Sequence, residues 1–249
     1  MEFKNKVLAG AALAVSLVGL SLGQSMIGAD EATAQGPMAP SFEVDPFWPK
    51  PLPNEWILGN VIGVAIDERD HVFIVHRASG EGIFGTNTEI GLASGVSICC
   101  EPAPPIVEFD PAGNMVNAWG GPVEGAPYVW PASNHGIEVD HKGNVWIGGN
   151  GGGDSHILKF TRDGKFLAQY GTPGVREPDS NSKTHFSRVA EIEVVESTNE
   201  AFIADGYGHR RIAVLDADTG EFKRYWGAYG KTPEDPTERY RHDPTTPSH

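Results

Sequence analysis

The chain has 249 residues, 39% of them hydrophobic, with 31 glycines, 19 prolines and a formal charge of −14. That length suits one large all-β domain, and so much glycine and proline breaks helices and punctuates strands, which argues against a helical protein. The acidic balance argues against a nucleic-acid partner, because the dense basic spots, His209-Arg210-Arg211 and Glu238 to His242, sit among acids and form no stripe.

Residues 1–34 read as a secretory signal peptide. Lys4 and Lys6 precede an apolar run from Val7 to Leu22, and Ala32-Thr33-Ala34 offers a small-residue cleavage site. An uncleaved anchor is the competing reading, since the run approaches the length of a membrane span. The expectation is a secreted or periplasmic protein, with no membrane attachment once the leader is removed. Residues 35–59 follow as a proline-rich strap, in which Phe42 to Pro53 is extended and its rings pack on the body.

The first repeat begins at Asn60. Val64 and Ile66 alternate before Asp67, and Val72, Ile74 and His76 alternate after the polar turn, which predicts two antiparallel strands. Gly80 to Pro105 is a long insertion without periodicity, either a solvent-exposed excursion or a loop on the binding face. It holds the chain's two cysteines, Cys99 and Cys100. Neighbours cannot staple distant loops, and a bond between them is strained, because consecutive Cα atoms lie ~3.8 Å apart and disulfides usually begin near ~4.4 Å. Two buried thiols is the alternative.

Ile106 to Gly121 then reads IVEFDPAGNMVNAWGG, a hairpin ending in an aromatic and glycine. His135 to Ile147 repeats the strand, Asp, turn, strand layout, and Ile157 to Gly171 repeats the hairpin. Between these two lies Gly148-Gly149-Asn150-Gly151-Gly152-Gly153, whose spacing does not fit a GxGxxG phosphate cradle, so a flexible inter-strand loop is expected. Ala190 to Ala204 opens a third repeat, and Ala204 to Gly230 closes it with strands on either side of Asp218-Thr219-Gly220.

Corresponding starts at Gly63, Gly136 and Glu191 lie 73 and 55 residues apart, the first interval enlarged by the insertion. Each unit has room for about four antiparallel strands, the content of a propeller blade. The fold class expected is therefore all-β, a β-propeller of about three blades over 60–230 with an incomplete ring. Open edges expose unpaired backbone. The chain is accordingly read as the N-terminal part of a longer protein, with a half-ring that self-associates through those edges as the alternative. Residues 231–249 show no strand pattern and read as a polar tail or a shortened inter-blade loop.

On these residues the chain resembles the NHL-repeat β-propellers, and within them the family of peptidyl-α-hydroxyglycine α-amidating lyases and its exported bacterial relatives. The resemblance spans roughly 60–230. VIGVAIDERDHVFIVHR is similar to the segment carrying a catalytic arginine, here Arg77; NHGIEVDHKGNVWI to the segment with a zinc-ligating histidine, here His135; and ADGYGHRRI to the segment with a catalytic tyrosine, here Tyr207. A structural calcium in that family takes carbonyls at positions falling on Val64 and Ile137. The implied activity is peptidylamidoglycolate lyase chemistry, the metal-assisted C–N cleavage of a carbinolamide. Zinc would lower the hydroxyl pKa, the arginine would hold developing charge and the tyrosinate would act as base.

Each residue also has a plainer reading: a strand-capping salt bridge for Arg77, a hydrogen-bonded core histidine for His135, a packing role for Tyr207. His76, His156, His185 and His209 lack metal-pair spacing and are read as structural or exposed. The chain also departs from the family. A catalytic zinc needs three protein ligands, and the family's other two histidines and its calcium carboxylate come from later blades. The positions of a family disulfide fall on Ser187 and Gly208. The chain alone is thus expected to have little lyase activity. The competing function is a non-catalytic exported propeller that binds a peptide, glycan or protein; a lactone or ester hydrolase on the same fold lacks an identifiable carboxylate cluster.

Overall fold

The structure, a computed structural model, describes residues 40–78, 100–177 and 179–235. The expected signal peptide, most of the insertion and most of the tail lie outside the described residues. Residues 40–46 belong to a separate unit, and everything below concerns the unit that begins at Phe47. Among the described residues all regular structure is β, apart from a 3-10 turn at Ala228–Gly230, and no helix is long and apolar enough to cross a membrane.

Three four-stranded antiparallel sheets follow one another along the chain. Blade 1 is β2 (Val61–Ile66), β3 (Val72–His76), β5 (Ile106–Phe109) and β6 (Met115–Trp119), paired in that order. Blade 2 is β7 (Asn134–Val139), β8 (Val145–Gly149), β9 (His156–Phe160) and β10 (Phe166–Gly171). Blade 3 is β11 (Glu191–Val195), β12 (Glu200–Asp205), β13 (Arg211–Asp216) and β14 (Phe222–Trp226). The first strand of each blade packs beside the first strand of the next, β2 against β7 and β7 against β11, as innermost strands of a propeller do. The expected fold class is what the chain adopts: an all-β propeller with three blades described.

Turn chemistry explains why the strands reverse where they do. The Asp67 carboxylate accepts from the backbone N–H of Arg69 and His71, and Asp140 does the same for Lys142 and Asn144. Each is a side chain imitating a backbone turn. Gly113, Gly143 and Gly164 then take the left-handed residue that closes three of these hairpins, and Asp70, at φ 59°, takes it in the first.

Alternation along each strand buries both faces of blade 2. Ile137, Val139, Val145, Ile147, Leu158 and Phe160 face blade 1 and meet Ala65, Phe73, Val75 and Ile106. Trp146 and Ile157 face blade 3 and meet Ile192, Val194, Ala201, Ile203, Ala213 and Leu215. The outer flank of blade 1 is covered by the strap. The Trp48 ring lies tilted against Phe109, and Leu52, Trp56 and Leu58 join Ile74 and Val107. Trp48 is packed against blade 1, whereas Phe47 is exposed.

The end of the insertion departs from the solvent-exposed reading. β1 (Trp56–Ile57) pairs in parallel with β4 (Glu101–Pro102), and Ala103 is fully buried. Pro104 O lies 2.9 Å from Nε2 of buried His76, and Gly59 N donates to its Nδ1. Cys100 is disulfide-bonded, and Cys99 lies outside the described residues.

Close approach of the innermost strands fixes two glycines. A Cβ on Gly63 would sit 2.7 Å from the His135 carbonyl oxygen, and one on Gly136 would sit 3.0 Å from that of Ala190. The third member of the series is Glu191, an exposed residue. Two residues beyond Gly136, the partly buried Glu138 of blade 2 faces Glu193 and Glu191 of blade 3. Burial first, and these two carboxylates after it, push the Glu138 carboxyl up to about 7.

Candidate functional site

In every blade the first strand starts, and the second ends, on the same rim; the Asp-Gly turns lie on the opposite face. Arg77 follows the end of β3, His135 lies at the start of β7, and Tyr207 follows the end of β12, so the topology brings all three lyase-like residues to this rim from three different blades.

His135 and Tyr207 meet directly. The histidine Nδ1 lies 2.8 Å from the Ala190 carbonyl oxygen, which can only accept, so Nδ1 carries the hydrogen. Nε2 of the neutral ring is then an acceptor, and the Tyr207 hydroxyl, 3.2 Å away, donates to it. The rings meet edge to face at 5.3 Å, and Tyr207 remains 52% exposed. His135 is therefore bonded at both nitrogens, yet its phenol partner opens to solvent.

Arg77 reaches the same strand start from the other side. Its guanidinium donates to Asn150 Oδ1 at 3.2 Å, and the same oxygen accepts from Ser133 Oγ at 2.8 Å. Ser133 is two residues from His135, which links the arginine to the histidine through one short segment. This contact is made to an amide of the next blade.

The glycine loop between β8 and β9 is neither a phosphate cradle nor a flexible spacer. It wraps an anion from its own chain: buried Asp154 accepts from the N–H of Ala132, Ser133 and Gly151 at 2.7–3.0 Å. A Cβ on Gly149 or Gly151 would lie 2.6 or 2.7 Å from Asp154 Oδ2, so the glycines make room for that carboxylate.

Behind Tyr207 the loop is locked by a buried cluster. Asp205 accepts from Ser187 N, from Arg211 Nε and from His209 Nδ1. Asp179 N donates to His209 Nε2, which leaves His209 neutral with its hydrogen on Nδ1. Of the four histidines read as structural or exposed, His76, His156 and His209 are buried. Burial lowers the pKa of His76 and His156. The two positions of the family disulfide, Ser187 and Gly208, are neighbours here; Gly208 N donates to Ser187 O at 2.9 Å.

The implied metals fare differently. With Nδ1–H fixed on a carbonyl, His135 is oriented as metal-ligating histidines are, but zinc needs three protein ligands, and no group of three His, Cys, Asp or Glu able to hold a metal exists among the described residues. Val64 and Ile137 occupy equivalent positions on adjacent innermost strands, one after Gly63 and one after Gly136. Their two carbonyls fall short of the six to eight oxygens typical of calcium. The described residues fit neither ion.

Arg188 had no sequence signal. Its backbone is left-handed at φ 61°, its N–H donates to Asp154 O, and its guanidinium donates to Tyr207 O at 2.8 Å. On the opposite face a cleft of about 470 Å³ lies among Asp67, Arg69, Asp140, Lys142 and Arg162. Arg162 crosses there from blade 2 to the carboxylates of Asp67 and Glu108 in blade 1. These ion pairs join blades, and no member of the lyase-like set lies among them.

No protein-family model matches the chain, and no curated protein matches it. Among solved structures, similarity extends to that of U3-55K, at 10% identity and a TM-score of 0.44 over 70% of this chain and 41% of that one. The RRP9 WD40 repeats are similar at 9% identity and a TM-score of 0.44, over 70% of this chain and 40% of theirs. A catalytically inactive virginiamycin B lyase from Staphylococcus aureus, with quinupristin, is similar at 15% identity and a TM-score of 0.41, over 73% of this chain and 45% of that one. The chain therefore spans less than half the length of each of these structures.

Proposed function

We propose that this is an exported propeller that binds a small peptide-like ligand on the strand-start rim, with Arg77, His135 and Tyr207 as contacting residues. The observation that carries the reading is the Tyr207–His135 hydrogen bond, made across a blade boundary by a phenol that is half exposed. A paired phenol and imidazole open to solvent is a proton-transfer unit awaiting a substrate.

In its finer form the reading is lyase-like. Transfer of the phenol proton to His135 Nε2 leaves a tyrosinate beside an imidazolium, and opposite charges stabilise each other. The tyrosinate takes the hydroxyl proton of a peptidyl-α-hydroxyglycine as the C–N bond breaks, giving glyoxylate and, after protonation of nitrogen, the peptide amide. Arg77 holds charge that develops on oxygen. No step is assigned to a metal. In a second reading the rim binds without catalysis, for which the half-exposed Tyr207 beside His135 serves as a contact surface.

Incubating the full chain with N-benzoyl-α-hydroxyglycine and following glyoxylate separates the two. The lyase reading expects turnover that Tyr207→Phe abolishes. Binding of N-benzoylglycine without glyoxylate release supports the binder. An absence of both overturns the rim assignment.

A further inference from the structure

Seven cations of this acidic chain meet a carboxylate among the described residues. Among the described residues Arg69, Arg162, Arg211 and Arg224 each contact an Asp or Glu, as do Lys142, Lys159 and Lys223. Arg176 lies along Gly152 and Gly153, and Arg188 lies beside Tyr207, each exposed and with no carboxylate contact among the described residues.

Arg188 is held with unusual care for an exposed residue. Its neighbours are pinned at the backbone: Ser187 N to Asp205, Arg188 N to Asp154 O, and Ala190 N to Ala204 O. The same four residues supply the Ala190 carbonyl that sets the His135 tautomer. A left-handed backbone at a non-glycine residue is unfavourable and persists only where the surroundings impose it. Here it directs a guanidinium onto the Tyr207 carbonyl. That single contact uses one of five donors, and the planar fork that remains suits a carboxylate.

Resting on the rim reading above, we propose that Arg188 is a specificity-determining residue that binds the carboxylate of the ligand and orients it toward the Tyr207–His135 pair. The ligand class is thus a short acyl-amino acid or peptide with a free C-terminal carboxylate. Arg176, on the same rim, adds positive potential.

Calorimetric titration of the full chain with N-benzoylglycine and with its amide tests this. The wild type should prefer the acid by about tenfold, the value of a charge-assisted pair. Arg188→Gly should bring the two to within about twofold. Glycine accepts positive φ, so this variant removes the guanidinium without straining the backbone, and its Tm should not fall. Arg188→Lys should keep part of the preference. Acid preference undiminished in Arg188→Gly overturns the assignment of Arg188 while the rim reading stands. Equal binding of acid and amide by the wild type overturns the carboxylate class, and binding of neither overturns the rim reading and this inference with it.

Discussion

Glu138 should make the blade 2–blade 3 contact sensitive to pH in a direction opposite to most carboxylates. A carboxyl whose pKa is raised on folding favours the folded state below its unfolded value, and this advantage is lost as pH climbs through the folded value. For Glu138 the window runs from 4.5 to about 7. At about 1.4 kcal/mol per tenfold change in proton affinity the full effect is about 3 kcal/mol, and solvent screening of a partly exposed group reduces it to about 2 kcal/mol. Glu138→Gln keeps an acceptor for the Val194 N–H and removes the charge facing Glu193 and Glu191. The variant should therefore match the wild type at pH 4 and exceed it at pH 8, by about 4–8 °C in Tm for a domain of this size. Thermal melts at both pH values measure the difference. An equal difference at the two, or a loss at pH 8, would refute the reasoning.

Two further substitutions probe the frame that carries the rim. Gly136→Ala drives a Cβ against the Ala190 carbonyl, and its overpacking should cost about 1–3 kcal/mol in urea unfolding. Asp205→Ala removes the partner of Arg211, His209 and Ser187 from a fully buried site. Leaving that arginine without its carboxylate should cost about 3–5 kcal/mol, seen as a lowered urea midpoint.

Much of the fold was legible because its determinants are local. Asp110 to Gly113, Asp140 to Gly143 and Asp216 to Gly220 each write a turn within five residues, and the alternating strands on either side follow. Contacts that join distant residues left no such trace. The parallel β1–β4 pair involves two residues on each side, too short for any periodicity. The glycine loop looked empty because the carboxylate that fills it, Asp154, lies just beyond the run and is recognised only by its bonds to Ala132 and Ser133. Family phrases placed Arg77, His135 and Tyr207, and the strand order accounts for their common rim. Arg188 belongs to no phrase; what distinguishes it is a backbone angle and a contact to a carbonyl nineteen residues away.

The series Gly63, Gly136, Glu191 bears on how interchangeable these repeats are. Blades 1 and 2 each present a bare backbone to the strand that follows, and that strand's carbonyl occupies the vacated space. Blade 3 presents a charged side chain at the same place. Substituting a copy of blade 3 for blade 2 would push a glutamate into a backbone at hydrogen-bonding distance, so such a shuffled chain would not close its layers. The repeats are alike in topology yet keyed to their order, and a residue without a side chain is what carries the key.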